Sequence, residues 1–392
     1  MKILIVSLFL PREKSYHAGG RVVFEILKEL SRRHSISLAT RVEEGESGSL
    51  ESLRPFCREI FPYPYRAGKD RNLFRDMLIL FNYIGFSRFA GGLAAKGDFD
   101  IVQVEWVEAG LMMRRGRTPM ILDAHDVITK PAERALRQSK GIGRLFAGLT
   151  YVLVRAAERR IAGRSDLVIS RSPYDKEYLL SLRPGLNVEV VPHPAGLDIT
   201  DRTFPRRKHE ILFLASFRYR KVNVDAALFF YNEVFPRIRN EVPDARFVIA
   251  GYGPPEELTS IPGRDHHVAV TGYVDDLDAC YKQAEVFVAP ILTGGGIIVK
   301  ILDAMAAGTP VVTTSYGNEG IGAVPGRDLL VADDPAGFAE SVVRLFREPE
   351  AAARIADQAR EFVRENYSME SVTRRLENAY RGVLREGAPP LP

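Results

Sequence analysis

Cysteine is nearly absent from this chain: Cys57 and Cys280 are the only two in 392 residues. That excludes a disulfide framework and a cysteine-built zinc cluster, and it is the usage of a reducing compartment. Long apolar runs are missing as well, since no stretch reaches the ~18–20 uninterrupted apolar residues of a membrane-spanning helix. The apolar start, Met1 to Leu10, runs straight into Pro11 without a cleavage-type site. It reads as the buried first strand of a parallel sheet rather than a signal peptide. No Gly-x-Gly-x-x-Gly follows that strand, which counts against a dinucleotide-dependent oxidoreductase. No Asp-x-Asp run and no His/Asp cluster supplies an obvious metal site. The expectation is a cytoplasmic protein with no metal and no resident cofactor.

A large charge of one sign is also lacking. The net charge is +4 at pH 7, too little to point to nucleic acid as a partner. Its distribution is uneven. Residues 1–198 carry 31 Lys and Arg against 23 Asp and Glu, and the rest carry 23 against 27. Residues 130–164 alone hold nine basic and two acidic side chains. Such an excess asks for an anionic partner on the N-terminal half, whether a membrane surface, a lipid phosphate or a charged acceptor.

What is present is the composition of a soluble globular protein, 46% hydrophobic and 27% charged, in a chain long enough for two domains. Short apolar runs alternate with helical patterns. Strands are predicted at Lys2–Leu8, Ile36–Thr40, Ile101–Val104, Met120–Asp123, Leu167–Ser170 and Val188–Pro192, with a helix over Val22–Arg33. A polar stretch, Asp198–Glu210, reads as a linker. A second series follows, with strands at Ile211–Leu214, Ala245–Ala250, Val268–Thr271, Val286–Ala289, Pro310–Thr314 and Leu329–Val331, and a helix over Val224–Ile238. Helices at Ala336–Phe346, Ala351–Asn366 and Met369–Leu384 close the chain. This alternation implies an α/β protein with two doubly wound parallel sheets, whose ligands sit beyond the carboxyl ends of the strands. The loops Pro11–Gly20, His125–Lys130 and Pro192–Asp198 are therefore the first places to look in the N-terminal half.

The segment Ala289 to Thr314 carries the most chemistry. It reads as a strand end, a glycine turn, a helix and a second strand. Gly294, Gly295 and Gly296 let backbone N–H groups approach a ligand closely. The helix behind them turns its N-terminus to the same place, which suits a phosphate. Lys300 and Asp303 lie three residues apart and share a helical face. A cation for phosphate and a carboxylate for hydroxyls would suit a sugar nucleotide.

This segment resembles the donor-binding segment of GT-B glycosyltransferases of family 4, strongly from Ile211 to about Tyr367 and more loosely before. Asp303-Ala-Met-Ala-Ala-Gly-Thr-Pro-Val-Val312 matches the family's Glu-Ala-Met-Ala-Ala-Gly-x-Pro-Val-Val. Gly295 stands where the family's first glutamate falls, Asp303 at the second acid, and the run Lys300-Ile-Leu-Asp resembles a branch with Lys-Ile-Leu-Glu-Ala-Met. The resemblance implies a GT-B fold, two Rossmann-like domains facing a cleft. It divides the chain into an acceptor-side domain, 1–198, a donor-binding domain, 199–368, and a last helix, 369–386, crossing back to the first domain. It also implies sugar transfer from a nucleotide diphosphate donor to a hydroxyl of a glycan or lipid-linked acceptor, with retention and without a metal.

Other site residues follow from the same resemblance. In the loop Phe213–Asp225 the family carries an arginine and a lysine for the donor diphosphate. Lys221 stands at the lysine and Ser216 at the arginine, so Arg218 and Arg220 are the candidates for the latter role. Gly272 and Val274 resemble the segment that holds the base through backbone groups. Gly19 and Gly20 resemble the glycine loop against phosphate and acceptor. His125 stands where relatives place a histidine on the donor sugar, and Glu319 is a candidate for holding a hydroxyl. The alternatives are a sugar-nucleotide epimerase on the same fold and a non-catalytic partner subunit. Outside the motif, Leu145, Leu149, Val152 and Ala156 form one helical stripe flanked by arginines. Such a stripe packs on the N-terminal sheet or lies on an anionic membrane. The Phe- and Leu-rich stretch Arg71–Ala90 is a second candidate.

Overall fold

A computed structural model describes residues 1–13, 18–65, 73–196, 199–218, 220–293 and 297–386. Gly294, Gly295 and Gly296 lie outside the described residues, as do parts of the loops Pro11–Gly20 and Pro192–Asp198. The chain divides into two compact units, Met1–His193 with Val372–Pro392, and Pro194–Ser371.

The first unit is built on seven parallel strands: β1 (Lys2–Ser7), β2 (Ser35–Glu43), β3 (Glu59–Tyr65), β4 (Ile101–Glu105), β5 (Met120–Asp123), β6 (Leu167–Ser170) and β7 (Val188–Val190). Their order is β3-β2-β1-β4-β5-β6-β7. Ile3, Leu4, Ile5 and Val6 are all fully buried, because helices cover both faces of a parallel sheet and leave no solvent side. Strand β3 has no counterpart among the predicted strands. It reads Glu-Ile-Phe-Pro-Tyr-Pro-Tyr, and its two prolines, which cannot donate to a ladder, are tolerated because β3 is the sheet's edge. From Val372 on, the helix Met369–Glu386 belongs to this unit. There Glu377 pairs with Arg33 and His34, and the buried Tyr380 hydroxyl donates to Gln103.

The second unit holds six parallel strands: β8 (Arg207–Leu214), β9 (Arg246–Ala250), β10 (Val268–Gly272), β11 (Ala284–Ala289), β12 (Val311–Thr313) and β13 (Leu330–Val331), ordered β10-β9-β8-β11-β12-β13. One apolar layer gathers Phe213, Phe230, Phe235, Phe247 and Phe338; the other gathers Leu212, Phe287, Ile301, Leu302 and Met305. In both sheets the order reverses once, at β1/β4 and at β8/β11, and strand ends there diverge to leave room for a ligand.

Two local readings change. The helix predicted over Val224–Ile238 is instead a helix Lys221–Phe229, a π-turn Phe230–Val234 and a helix Phe235–Glu241. Pro236 has no N–H for the carbonyl four residues back, and the π-turn absorbs that missing bond. The polar stretch read as a linker is tied down within the second unit. Thr200 donates to Asp278, Arg202 pairs with Asp276, and Lys282 donates to the carbonyls of Thr200 and Arg202. Arg207 to Glu210 already belong to β8.

Candidate active site

In the second unit the candidate residues come from four strand ends. Strand β8 runs into the loop Ala215–Arg220 and the helix that starts at Lys221. Gly251, just beyond β9, shapes this loop from behind. It has φ +132°, and a Cβ there would lie 1.8 Å from the Ala215 carbonyl oxygen, so only glycine lets the two strand ends approach. Arg218 is exposed and donates to the Tyr252 hydroxyl, while Phe217 N–H reaches the Tyr252 carbonyl at 2.9 Å. Lys221 is exposed and bonded to Asp225 one turn on, at 2.9 Å, which raises its pKa.

Lys300 differs from these. It lies in the first turn of the helix Val299–Ala306, partly buried, with its ammonium 4.9 Å above the ring of Phe213. Burial, helped by the nearby charge of Arg220, pushes its pKa down to about 8. Its hydrogen-bond acceptor is the Asn223 side-chain oxygen at 3.1 Å, and Asn223 in turn donates to the Ser216 carbonyl at 2.6 Å. Among the described residues no carboxylate pairs with Lys300. A cation held off water without a counter-ion attracts an anion more strongly than the same cation in solvent. Asn223, which joins the Lys300 helix to the β8 loop, was missed by the sequence reading because an asparagine in a polar loop gives no signal.

Asp303 does not share Lys300's neighbours. Its carboxylate accepts the Gly196 N–H at 2.8 Å and so ties down the start of this unit. Gly272 takes φ +70°, a left-handed turn that glycine adopts at little cost, and its carbonyl accepts the Gly251 N–H at 2.7 Å. Val274 packs against the apolar layer around Leu212. Glu319 is exposed at the end of the short helix Ser315–Glu319.

In the first unit, Gly19 and Gly20 lie in the first turn of the helix Ala18–Ser31. His125 lies in a buried polar cluster that the sequence did not announce. Glu105 and Asp123 are register partners at the ends of β4 and β5, so their side chains share a face. Glu105 meets His125 Nε2 at 2.6 Å, and Gln103 donates to Glu105 at 2.5 Å. Arg171, just past β6, lies 2.5 Å from Asp123 and 3.5 Å from His125 Nδ1. With an arginine facing Nδ1, the network assigns the ring proton to Nε2, donated to Glu105. Burial pushes Glu105 up to about 7 and Asp123 up to about 6, with Arg171 opposing both shifts. Trp106 stacks on His125 at 4.1 Å and 14°. It takes φ +71° to do so, a conformation that costs a bulky residue backbone strain. His193 also stacks on His125, at 5.3 Å and 30°, and burial drives it strongly toward the neutral form.

The expectation that no His/Asp cluster exists is corrected here. Glu105, Asp123 and His125 converge closely enough to hold a metal ion, because the pairing of β4 with β5 sets Glu105 beside Asp123. Their ligand set fits a metal poorly, however, since the Arg171 guanidinium already supplies a cation at Asp123. The cluster reads as a charge-compensated mount that fixes the orientation of His125.

Two family models match the chain in order. One, described as Glycosyltransferase Family 4, covers residues 19–198; the other, Glycosyl transferases group 1, covers residues 208–348. An uncharacterized 44.6 kDa protein in the cps region of Klebsiella pneumoniae is 28% identical over 95% of this chain and 97% of its own length. Phosphatidyl-myo-inositol mannosyltransferase of Mycobacterium leprae is 25% identical over 74% of this chain and 76% of its own. HepE of Anabaena, solved in complex with UDP-glucose, shares the fold with a TM-score of 0.64 at 12% identity, over 97% of this chain and 100% of that one. With two doubly wound parallel sheets and both halves of the family matched in order, the chain belongs to the GT-B glycosyltransferases of group 1, family 4.

Proposed function

We propose that this glycosyltransferase takes its sugar from a nucleotide diphosphate donor and passes it to a hydroxyl of a glycan or lipid-linked acceptor, with retention and without a bound metal. The observation that carries the reading is Lys300, a partly buried ammonium with no carboxylate partner among the described residues. Departure of a nucleoside diphosphate builds negative charge on phosphate oxygens, and cations fixed in place stabilise it without reorganising. Lys221, Arg218 and Arg220 add charge from the exposed side of the same loop. The N-terminus of the helix Val299–Ala306 supplies N–H donors, and Gly294, Gly295 and Gly296, outside the described residues, precede it in sequence. Asp303 anchors the ribose, Gly272 and Val274 the base, Glu319 a sugar hydroxyl, His125 the donor sugar, and Gly19 with Gly20 the phosphate and acceptor. The leaving phosphate itself takes the acceptor's proton as attack proceeds on the face it vacates.

The UDP-glucose held by the Anabaena protein supports the donor class, and the phosphatidyl-myo-inositol relative supports a lipid-linked acceptor. The arginine that fills the cation position beside Asp123 supports metal independence. A thermal-shift panel of nucleotides and sugar nucleotides tests the donor class, since a ligand of the native state raises Tm. Nucleotide release measured with and without a chelator tests metal independence. Lys300→Ala and Lys221→Ala should each lower turnover by about 100-fold or more while the fold stays intact. Near-wild-type rates in both would refute the assignment.

A further inference from the structure

The helix Gly141–Ala162 carries an apolar face that no described residue of this unit covers. Ile142, Leu145, Phe146, Leu149, Val152 and Leu153 are each between 59% and 74% exposed. At about 100° per residue these six fall within an arc of about 120°. The inward side of the helix is the opposite one, where Glu158 and Ile161 are buried. The stripe therefore does not pack on the sheet; it faces solvent along its whole length. Arg159 borders one edge of the stripe with Arg155 beyond it on the same side, and Arg160 falls within it near the helix end. Glu158, the helix's only acid, is turned inward.

We propose that this face is a docking surface for an anionic membrane, with the six apolar side chains in the acyl boundary and the arginines at lipid phosphates. The charge decides between occupants. A second copy laid on the same stripe would bring arginines against arginines with no acid on the face to pair them. An anionic lipid surface supplies the missing charge. The inward side ties the docked helix to the loop of His125: the Glu158 carboxylate accepts the N–H groups of Ile128 (3.0 Å) and Thr129 (3.1 Å) and the Thr129 hydroxyl. A docked helix thus holds that loop at the surface where a lipid-linked acceptor lies, a consequence that rests on the proposed acceptor class.

The test is flotation of the full chain with vesicles of phosphatidylglycerol and phosphatidylcholine, or of phosphatidylcholine alone, at low and high salt. The wild type should float with the anionic vesicles only, and less at high salt. A Leu145→Asp, Phe146→Asp, Leu149→Asp variant should lose at least tenfold in the bound fraction, and Arg155→Glu, Arg159→Glu, Arg160→Glu likewise. All these sites are exposed, so both variants should keep the wild-type melting point and nucleotide-induced stabilisation, which separates this proposal from the donor assignment. A wild type that stays unbound, or an aspartate variant that floats as well as the wild type, overturns it. So does a wild-type dimer that the aspartate variant dissolves without any flotation to lose.

Discussion

Lys300→Met should leave the ligand-free protein more stable and nearly blind to a diphosphate. Burial lowers the ammonium from 10.5 to about 8. At ~1.36 kcal/mol per pH unit, the fold holds the charged form at a cost of about 3 kcal/mol. Methionine keeps the length and has no charge to desolvate. Relaxation around the site discounts the gain, so about 1–3 kcal/mol at pH 7 is expected, a Tm rise of roughly 2–10 °C for a domain of this size. The sign with pH follows from a folded pKa below the unfolded one. The penalty is fully present below pH 8 and is relieved as pH rises from about 8 to 10.5, because there the unfolded chain binds the extra proton. Variant and wild type should thus converge at high pH. A phosphate beside Lys300 favours the ammonium again. The wild-type affinity for UDP should be flat below pH 8 and fall about tenfold per pH unit above it, while the variant's stays flat and weak. Melts at pH 7 and 10, with and without UDP, provide the check. A variant that melts lower than wild type at pH 7, or that keeps the full UDP-induced rise, would refute the reasoning.

Gly251→Ala should cost at least about 3 kcal/mol in urea unfolding, since a Cβ at φ +132° meets the Ala215 carbonyl. Removing the carboxylate in Glu158→Ala orphans the donors of Ile128 and Thr129, and about 1–3 kcal/mol of stability should go with it. Glu105 has a folded pKa raised to about 7, so its contribution is present below its unfolded value and is lost as pH rises through 7; the Tm drop between pH 5 and pH 8 should shrink in Glu105→Gln. Lys221→Ala should leave the melting point unchanged, because its pair with Asp225 is solvent-exposed, and should still reduce nucleotide release.

Both Rossmann-like sheets were legible in the sequence because parallel strands buried on both faces read as short apolar runs, and helices between them have their own period. Strand β3 escaped because two prolines argue against any strand that is not an edge, and sequence does not say which strand is the edge. The loop proposed for the donor announced itself through glycines, Lys300 and the matching run after Asp303, all within one local stretch. The mount of His125 could not be read in that way. Gln103, Glu105, Asp123, Arg171 and Tyr380 are scattered over the chain, and only the pairing of β4, β5 and β6 and the return of the last helix bring them together.

The helix Gly141–Ala162 marks the same boundary from the other side. Its sequence by itself determined an amphipathic stripe, since periodicity is a property of neighbours three and four residues apart. Whether that stripe lies inward or outward was decided by tertiary structure alone. Glu158 and Ile161 turn toward the unit's interior, and the six apolar residues opposite them are left to solvent. The two lysines divide in the same manner. Their charge is written in the sequence, but only packing over Phe213 makes Lys300 the one held off water while Lys221 stays in it.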